Sequence, residues 1–119
     1  MRMYSVTEEF VAHLLALGYD AYANVPASPP DEFVTVERTG GSVADMVDHP
    51  AIAVQCWAPT DESAERMANV LRTQLVAGTV RPSGVTRIAV NSGPYRFYDE
   101  YTRCPRYQIA LDVTCQLTD

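Results

Sequence analysis

The most reactive side chains in this sequence belong to two histidines and three cysteines. A cysteine nucleophile needs a partner base and a lowered pKa, which a neighbouring cation or a helix start can supply. Cys56 falls in an apolar run, which predicts a buried and unreactive thiol, and Cys104 has no glycine or helix start beside it. We therefore expect no enzymatic activity; a small hydrolase that uses Cys104 or His49 is the alternative.

Metal and cofactor sites have spacing rules that this sequence does not follow. Three cysteines without a CxxC spacing disfavour both a disulfide framework and a zinc site, and favour a reducing compartment such as cytoplasm. Asp99 and Glu100 are adjacent carboxylates without a third ligand beside them. The Gly40-Gly41-Ser42 run lacks the frame and the lysine of a phosphate loop. We expect neither a metal nor a cofactor.

Aromatic side chains concentrate in the segment 91–105, where arginines alternate with them. Tyrosine and arginine together are typical of the residues that dominate protein–protein interfaces. The alternative is a hairpin whose aromatic side chains fold back onto their own core. The candidate interface residues are Tyr95, Arg96, Phe97, Tyr98, Tyr101 and Arg103, with Trp57 and Gln108 from neighbouring strands.

Two amphipathic helices are predicted from capping residues and apolar spacing. Ser5 and Glu8 form a capping box that predicts a helix over 6–17. Thr60 is a good N-cap, and Gly78 can end the apolar stripe that follows it, which predicts a second helix between them.

Strands are predicted where apolar and polar residues alternate. The predicted strands cover 19–25, 33–39, 51–57, 85–91 and 106–117. Gly40-Gly41 should end the second strand, and the segment from there to Pro50 is predicted as a loop. Pro26–Glu32 is predicted as an extended loop.

The element order α-β-β-β-α-β-β predicts one α+β domain over residues 1–119. We expect a two-layer sandwich, in which two helices cover one face of a mixed or antiparallel sheet of four or five strands. The other face should meet water or another subunit, because its side chains are mostly polar. Its expected members are Gln55, Trp57, Arg87, Gln108, Ala110, Asp112, Thr114 and Gln116.

Charge separates the two halves of the chain, whose formal net charge is −6. Residues 1–65 hold eleven acids and two arginines, whereas residues 66–119 hold seven arginines and four acids. The acidic balance disfavours sequence-independent nucleic-acid binding. The asymmetry predicts head-to-tail attraction between copies, with a solvated acidic face as the alternative. No apolar run is long enough for a membrane span, so we expect no membrane partner.

Four segments carry a resemblance to small proteins encoded in the structural gene blocks of tailed phages and prophages of actinobacteria. They are Pro30–Gly41, Ala53–Thr60, Ser92–Tyr95 and Pro105–Gln108. In this order the chain resembles the tail terminator, or tail completion, proteins of bacteriophages with long non-contractile tails (siphoviruses). Head-completion or stopper proteins of the neck are the alternative within the same resemblance.

The resemblance implies a structural virion protein without catalytic residues or a cofactor. Such proteins form a ring, usually a hexamer, that caps the head-proximal end of the tail tube and stops its polymerisation. The implied partners are further copies of the chain, the major tail tube protein and a neck protein, with DNA passing through the lumen. The implied location is the tail and neck of the virion, after assembly in the host cytoplasm. A binding module that holds a small ligand beside Trp57 is the alternative from another class.

Overall fold

The computed structural model describes residues 4–97 and 104–116. The order α-β-β-β-α-β-β is confirmed. The elements are α1 (Val6–Ala16), β1 (Ala21–Tyr22), β2 (Phe33–Ala44), β3 (Val47–Trp57), α2 (Asp61–Ala77), β4 (Val85–Arg96) and β5 (Arg106–Gln116).

A single five-stranded sheet in the order β1-β2-β3-β5-β4 organises the described residues. β1 pairs with β2 in parallel, and the other neighbours are antiparallel, so the sheet is mixed. Both helices pack on the same face, which confirms the predicted α+β architecture. Within residues 4–97 and 104–116, no helix is long and apolar enough to cross a bilayer.

The core lies between the helices and the apolar face of the sheet. Phe10 and Leu14 of α1 and Leu71 of α2 are completely buried, and they meet strand residues such as Val54 and Ile109. Each such side chain stabilises the fold by roughly 1.5–3 kcal/mol relative to exposure. The period-two alternation of β5 therefore leaves its polar residues on the other face, as the sequence predicts.

The helix boundaries follow from the predicted caps. The amide of Glu8 donates to Ser5 Oγ at 3.3 Å, and the amide of Ser63 donates to Thr60 Oγ1 at 3.1 Å. These bonds satisfy amide groups that the first helical turn leaves without partners. Gly78 ends α2 with a φ of 82°, the left-handed conformation that glycine adopts at low cost.

The predicted loop after Gly40-Gly41 is wrong, because β2 continues to Ala44 and turns directly into β3. A side chain at position 41 would collide with the partner strand, since a Cβ there would lie 2.2 Å from the carbonyl oxygen of His49. The glycine thus permits close pairing of the strands and does not stop β2. Residues 40–49 form what we call the hairpin arm.

An ion pair fixes the base of the hairpin arm. The two terminal nitrogens of Arg38 donate to the two carboxylate oxygens of Asp48 at 2.6 and 2.8 Å. Asp48 is buried, and this bidentate geometry is the strongest that an arginine and a carboxylate form. The arm is therefore held in one orientation relative to the sheet.

Two other strands differ in length from their prediction. β1 is shorter, with two residues in place of the predicted 19–25. β4 is longer, because it passes through Gly93 and Pro94 to Arg96. Its pairing with β5 is irregular at three places along the strand. β4 is an edge strand, where a proline without an N–H group and bulges are tolerated.

Candidate functional site

Hydrogen-bonded side chains cross four strands on the sheet face that lies opposite the helices. Trp57 Nε1 donates to Thr35 Oγ1 at 2.9 Å, and the Thr35 hydroxyl donates to Gln55 Oε1 at 2.6 Å. Gln55 Nε2 donates to Gln108 Oε1 at 2.9 Å, and Gln108 Nε2 donates to the Tyr95 hydroxyl. We call Thr35, Gln55, Gln108 and Tyr95 the polar row.

A second row, made of stacked rings and a guanidinium, runs beside the first. The rings of Phe33 and Trp57 stack with centroids 5.4 Å apart and planes 6° from parallel. The guanidinium carbon of Arg106 lies 4.6 Å from the centroid of Trp57 and 4.2 Å from that of Phe97. Such cation–π contacts stabilise by roughly 0.5–2 kcal/mol each. Phe33, Trp57, Arg106 and Phe97 form the aromatic row.

Both rows run from a buried end to an exposed end. Trp57 is 3% exposed and Gln55 is 7% exposed, whereas Tyr95 on β4 and Phe97 just after it are 36% and 40% exposed. The buried members fix the rotamers of their neighbours through hydrogen bonds and stacking. The arrangement therefore presents two aromatic side chains at the sheet edge on a rigid base, as an interface anchor requires.

The structure brings together four of the predicted interface residues. Trp57, Gln108, Tyr95 and Phe97 lie in the two rows. Arg96 lies elsewhere: its Nε donates to Asp61 Oδ1 at 3.1 Å, at the start of α2. Predicted interface residues also lie outside the described residues, namely Tyr98, Tyr101 and Arg103.

Trp57 differs from its prediction in its exposure. The sequence predicts that Trp57 and Gln55 lie on a polar face that meets water or another subunit. Both side chains are instead buried within the chain. Phe33 covers one side of the indole ring and Arg106 contacts it as well. Farther along the same face, Arg87 and Asp112 are exposed, as expected.

Sequence reasoning missed Phe33, Thr35 and Arg106. Their roles depend on the register, in which Phe33 pairs with Trp57 and Trp57 pairs with Arg106. The alternation of apolar and polar residues indicates which face of a strand each side chain occupies. It does not indicate which residues pair across two strands.

An apolar cleft of about 550 Å³ lies at the end of the sheet where Trp57 is found. The exposed Cys104 borders it. We call it the terminal cleft. Its walls include Val25, Pro26, Pro29, Phe33, Trp57 and Pro105.

The remaining reactive side chains occupy separate places. His49 lies on the hairpin arm, where its Nδ1 is 3.5 Å from Thr114 Oγ1. Cys104 lies at the other end of β3, and the eight residue-to-residue steps of strand from 49 to 57 span about 26 Å. The two residues therefore do not form a catalytic pair.

The two buried cysteines have raised pKa values. Burial raises the pKa of the Cys56 thiol to about 12, and burial also raises the pKa of Cys115. Both are neutral at physiological pH, as expected of thiols that serve as small apolar side chains.

His13 links α1 to the segment between α2 and β4, because the amide of Arg81 donates to its Nε2 at 3.1 Å.

Metal-ligating side chains are dispersed over the described parts of the chain, 4–97 and 104–116. No group of three or more histidine, cysteine or acidic residues there could hold a metal ion. The Asp99-Glu100 pair lies outside these residues.

Opposite edges of the sheet carry opposite charge. The chain from residue 4 to residue 37, which forms α1, β1 and the start of β2, contains six acids and neither lysine nor arginine. We call this the acidic side. At the other edge, β4 contains Arg87 and Arg96 and no acid.

No protein-family model matches the chain, and neither does any curated protein.

Proposed function

We propose that this chain is a tail terminator of a bacteriophage with a long non-contractile tail. In this role copies of the chain form a ring, of six subunits by the resemblance, on the head-proximal end of the tail tube. The ring stops tube polymerisation and joins the tube to the neck. The chain acts by fitting surfaces together and transforms no substrate.

The observation that carries this proposal is the separation of charge between the two edges of the sheet. A ring of identically oriented copies presents one set of edges upward and the other downward. The acidic side and the exposed Arg87 of β4 would then lie on opposite faces of the ring, while Arg96 is paired with Asp61. Two unlike faces suit a protein that must bind two unlike partners, the tube and the neck.

The exposed aromatic pair supports docking at the β4 edge. Tyr95 and Phe97 are held from behind by the polar row and the aromatic row. Aromatic side chains with fixed rotamers lose little conformational entropy when a partner covers them. We therefore assign them to the contact with the tube or the neck protein.

The overall charge suits the passage of DNA. A net charge of −6 per chain makes a ring of several copies strongly acidic. Like charge on the lumen would repel the phosphates and keep DNA from adhering to the wall. DNA is thus a transient and non-specific occupant of the lumen.

Purified tail tubes test the proposal directly. Negative-stain images of tubes mixed with this chain should show a ring at one end, and tube elongation should stop. A chain that binds the head portal complex and leaves tubes uncapped would contradict the proposal and indicate a stopper protein.

The aromatic pair can be tested in the same assay. Tyr95→Ala combined with Phe97→Ala should reduce capping or neck joining at least tenfold while the variant still folds. Val76→Ala is the matched control, because Val76 is an exposed apolar side chain on α2, outside the acidic side and the β4 edge. Equal capping by both variants would remove the aromatic pair from the docking surface.

The terminal cleft favours a second candidate function, the binding of a small apolar ligand. Its volume of about 550 Å³ lies within the range of small-molecule sites. A change in Trp57 fluorescence with a small molecule but not with tail tubes would favour this function over the ring.

A further inference from the structure

The turn of the hairpin arm carries a residue that its backbone does not favour. Met46 has a φ of 64° and follows Asp45, whose φ is 51°. Hairpin turns with two left-handed residues usually place glycine second, and a side chain there costs roughly 1–2 kcal/mol. The Met46 side chain is nevertheless 59% exposed, so burial within this chain does little to offset the cost.

A second apolar side chain lies near the same turn. Val43 is 58% exposed, and it pairs across the arm with Asp48, next to the Ala44–Val47 pair that flanks the turn. Val43 and Met46 are the large apolar side chains that this segment exposes. We call them the hairpin tip.

The arm holds this tip beside the end of β5, at the end of the sheet opposite the terminal cleft. Close pairing at Gly41 and the Arg38–Asp48 ion pair fix its direction. The terminal cleft lies at the other end of β3, and the ten residue-to-residue steps from Val47 to Trp57 span about 33 Å. The hairpin tip therefore cannot reach the terminal cleft of its own chain.

The tip and the cleft are complementary in chemistry. The cleft is walled mainly by prolines, valine and aromatic rings, and its volume of about 550 Å³ admits several aliphatic side chains. Methionine is flexible and polarizable, so it fills irregular apolar spaces and contacts aromatic rings favourably. One chain thus carries an apolar hairpin tip at one end and an apolar cleft at the other.

We propose that the hairpin tip of one copy inserts into the terminal cleft of a second copy of this chain. The contact is heterologous, and repeated contacts of this kind close into a ring or grow into an open fibre. The insertion itself follows from the described residues; only its closure into a ring rests on the proposed function. The long axis of each copy, 43 Å, then runs along the circumference.

Two variants that each disable one partner of the contact provide the test. Met46→Asn removes the apolar side chain and keeps a residue that tolerates the left-handed conformation. Val25→Glu places a charge at the cleft on a side chain that is already 48% exposed. Val76→Gln is the control, because it changes an exposed valine of α2 outside both surfaces.

Light scattering over a range of concentrations should show that wild type and Val76→Gln assemble alike. Met46→Asn and Val25→Glu should each need at least tenfold higher concentration, with unfolding temperatures no lower than that of the control. A mixture of the two variants should give one-to-one dimers and nothing larger, since only one functional tip and one functional cleft can meet.

The outcomes separate the two proposals. Rings that form equally well with Met46→Asn would overturn the insertion and leave the ring intact. An open fibre that depends on Met46 would support the insertion and contradict the tail terminator. A wild-type chain that stays monomeric at all concentrations, with and without tail tubes, would overturn both.

Discussion

Thr35 is the residue at which the two rows of the open sheet face meet. Its hydroxyl oxygen accepts a hydrogen bond from the indole N–H of Trp57, and its O–H donates a hydrogen bond to Gln55. All three side chains are buried. No other described hydrogen bond satisfies the indole. Thr35 stabilises the fold because its two buried partners would lose these hydrogen bonds without it.

Replacement of Thr35 by valine should therefore destabilise the fold although the shape is preserved. We expect a loss of about 2 kcal/mol in the free energy of unfolding, because a buried donor and a buried acceptor lose their partner. Thr39→Val on the same strand is the control and should change stability by less than about 0.5 kcal/mol, since Thr39 is exposed. Urea denaturation measures both; equal losses would contradict the role of the polar row.

Cys56 gives the molecule a pH dependence on the alkaline side. Its pKa is about 12 in the fold against an ordinary value of 9.0, so the unfolded chain loses this proton first as the pH rises. The unfolded state then binds fewer protons than the folded state, and stability must fall between pH 9 and pH 12. The contribution is fully present below pH 9.

Cys56→Ala should make this decline shallower. The variant has a lower stability at pH 7, since it leaves a small cavity, but it lacks the titrating thiol. Urea denaturation at pH 8, 9, 10 and 11 measures the slope, to which one titrating group contributes at most about 1.4 kcal/mol per pH unit. Parallel curves for wild type and variant would show that Cys56 titrates alike in both states.

At the scale of elements, the hairpin arm depends on one of two adjacent glycines. Gly41 has a φ of 109°, and a Cβ there would also lie 2.6 Å from the Pro50 Cα, whereas a Cβ at Gly40 meets open space. Gly41→Ala should lower the free energy of unfolding by about 3 kcal/mol through strain and collision. Gly40→Ala should leave it within about 0.5 kcal/mol of wild type.

Thermal and urea unfolding of this pair of variants distinguish close approach from simple flexibility. If both alanine variants lost the same stability, the glycines would matter only for chain entropy and the tight pairing at position 41 would be irrelevant.

The same glycines show what the sequence could and could not predict. Caps such as Thr60 and Gly78 act within one helix, so both helices were predicted to within a residue or so of their ends. Gly40-Gly41 resembles a strand terminator, and its real role depends on a partner strand that the local sequence does not identify. The turn was missed because Asp45-Met46 lacks the glycine that usually marks one.

The candidate site was predictable only in part for a related reason. Tyrosine and arginine density indicated Tyr95 and Phe97, and both lie at the sheet edge. The buried members of the rows, Phe33 and Thr35, act across strands, and register is a property of the assembled sheet. The burial of Trp57 likewise follows from a neighbour that lies 24 positions away in sequence, Phe33.

At the scale of the whole molecule, ends and sides have different roles in the proposals. The ends carry the hairpin tip and the terminal cleft, which we assign to contacts between copies. The sides carry the separated charges and the exposed aromatic pair, which we assign to the tube and the neck. One elongated chain, 43 Å by 27 Å by 26 Å, can thus contact three kinds of neighbour, and residues 25–33 belong to both the terminal cleft and the acidic side.

The irregular course of β4 has a further consequence for free subunits. Its irregular register and Pro94 interrupt the row of backbone N–H and C=O groups with which a strand of another molecule would have to pair. Amyloid-like stacking of free subunits is thereby discouraged at the long outer strand. If the proposed function holds, an infected cell could accumulate the subunit in excess and keep it available for each new tail.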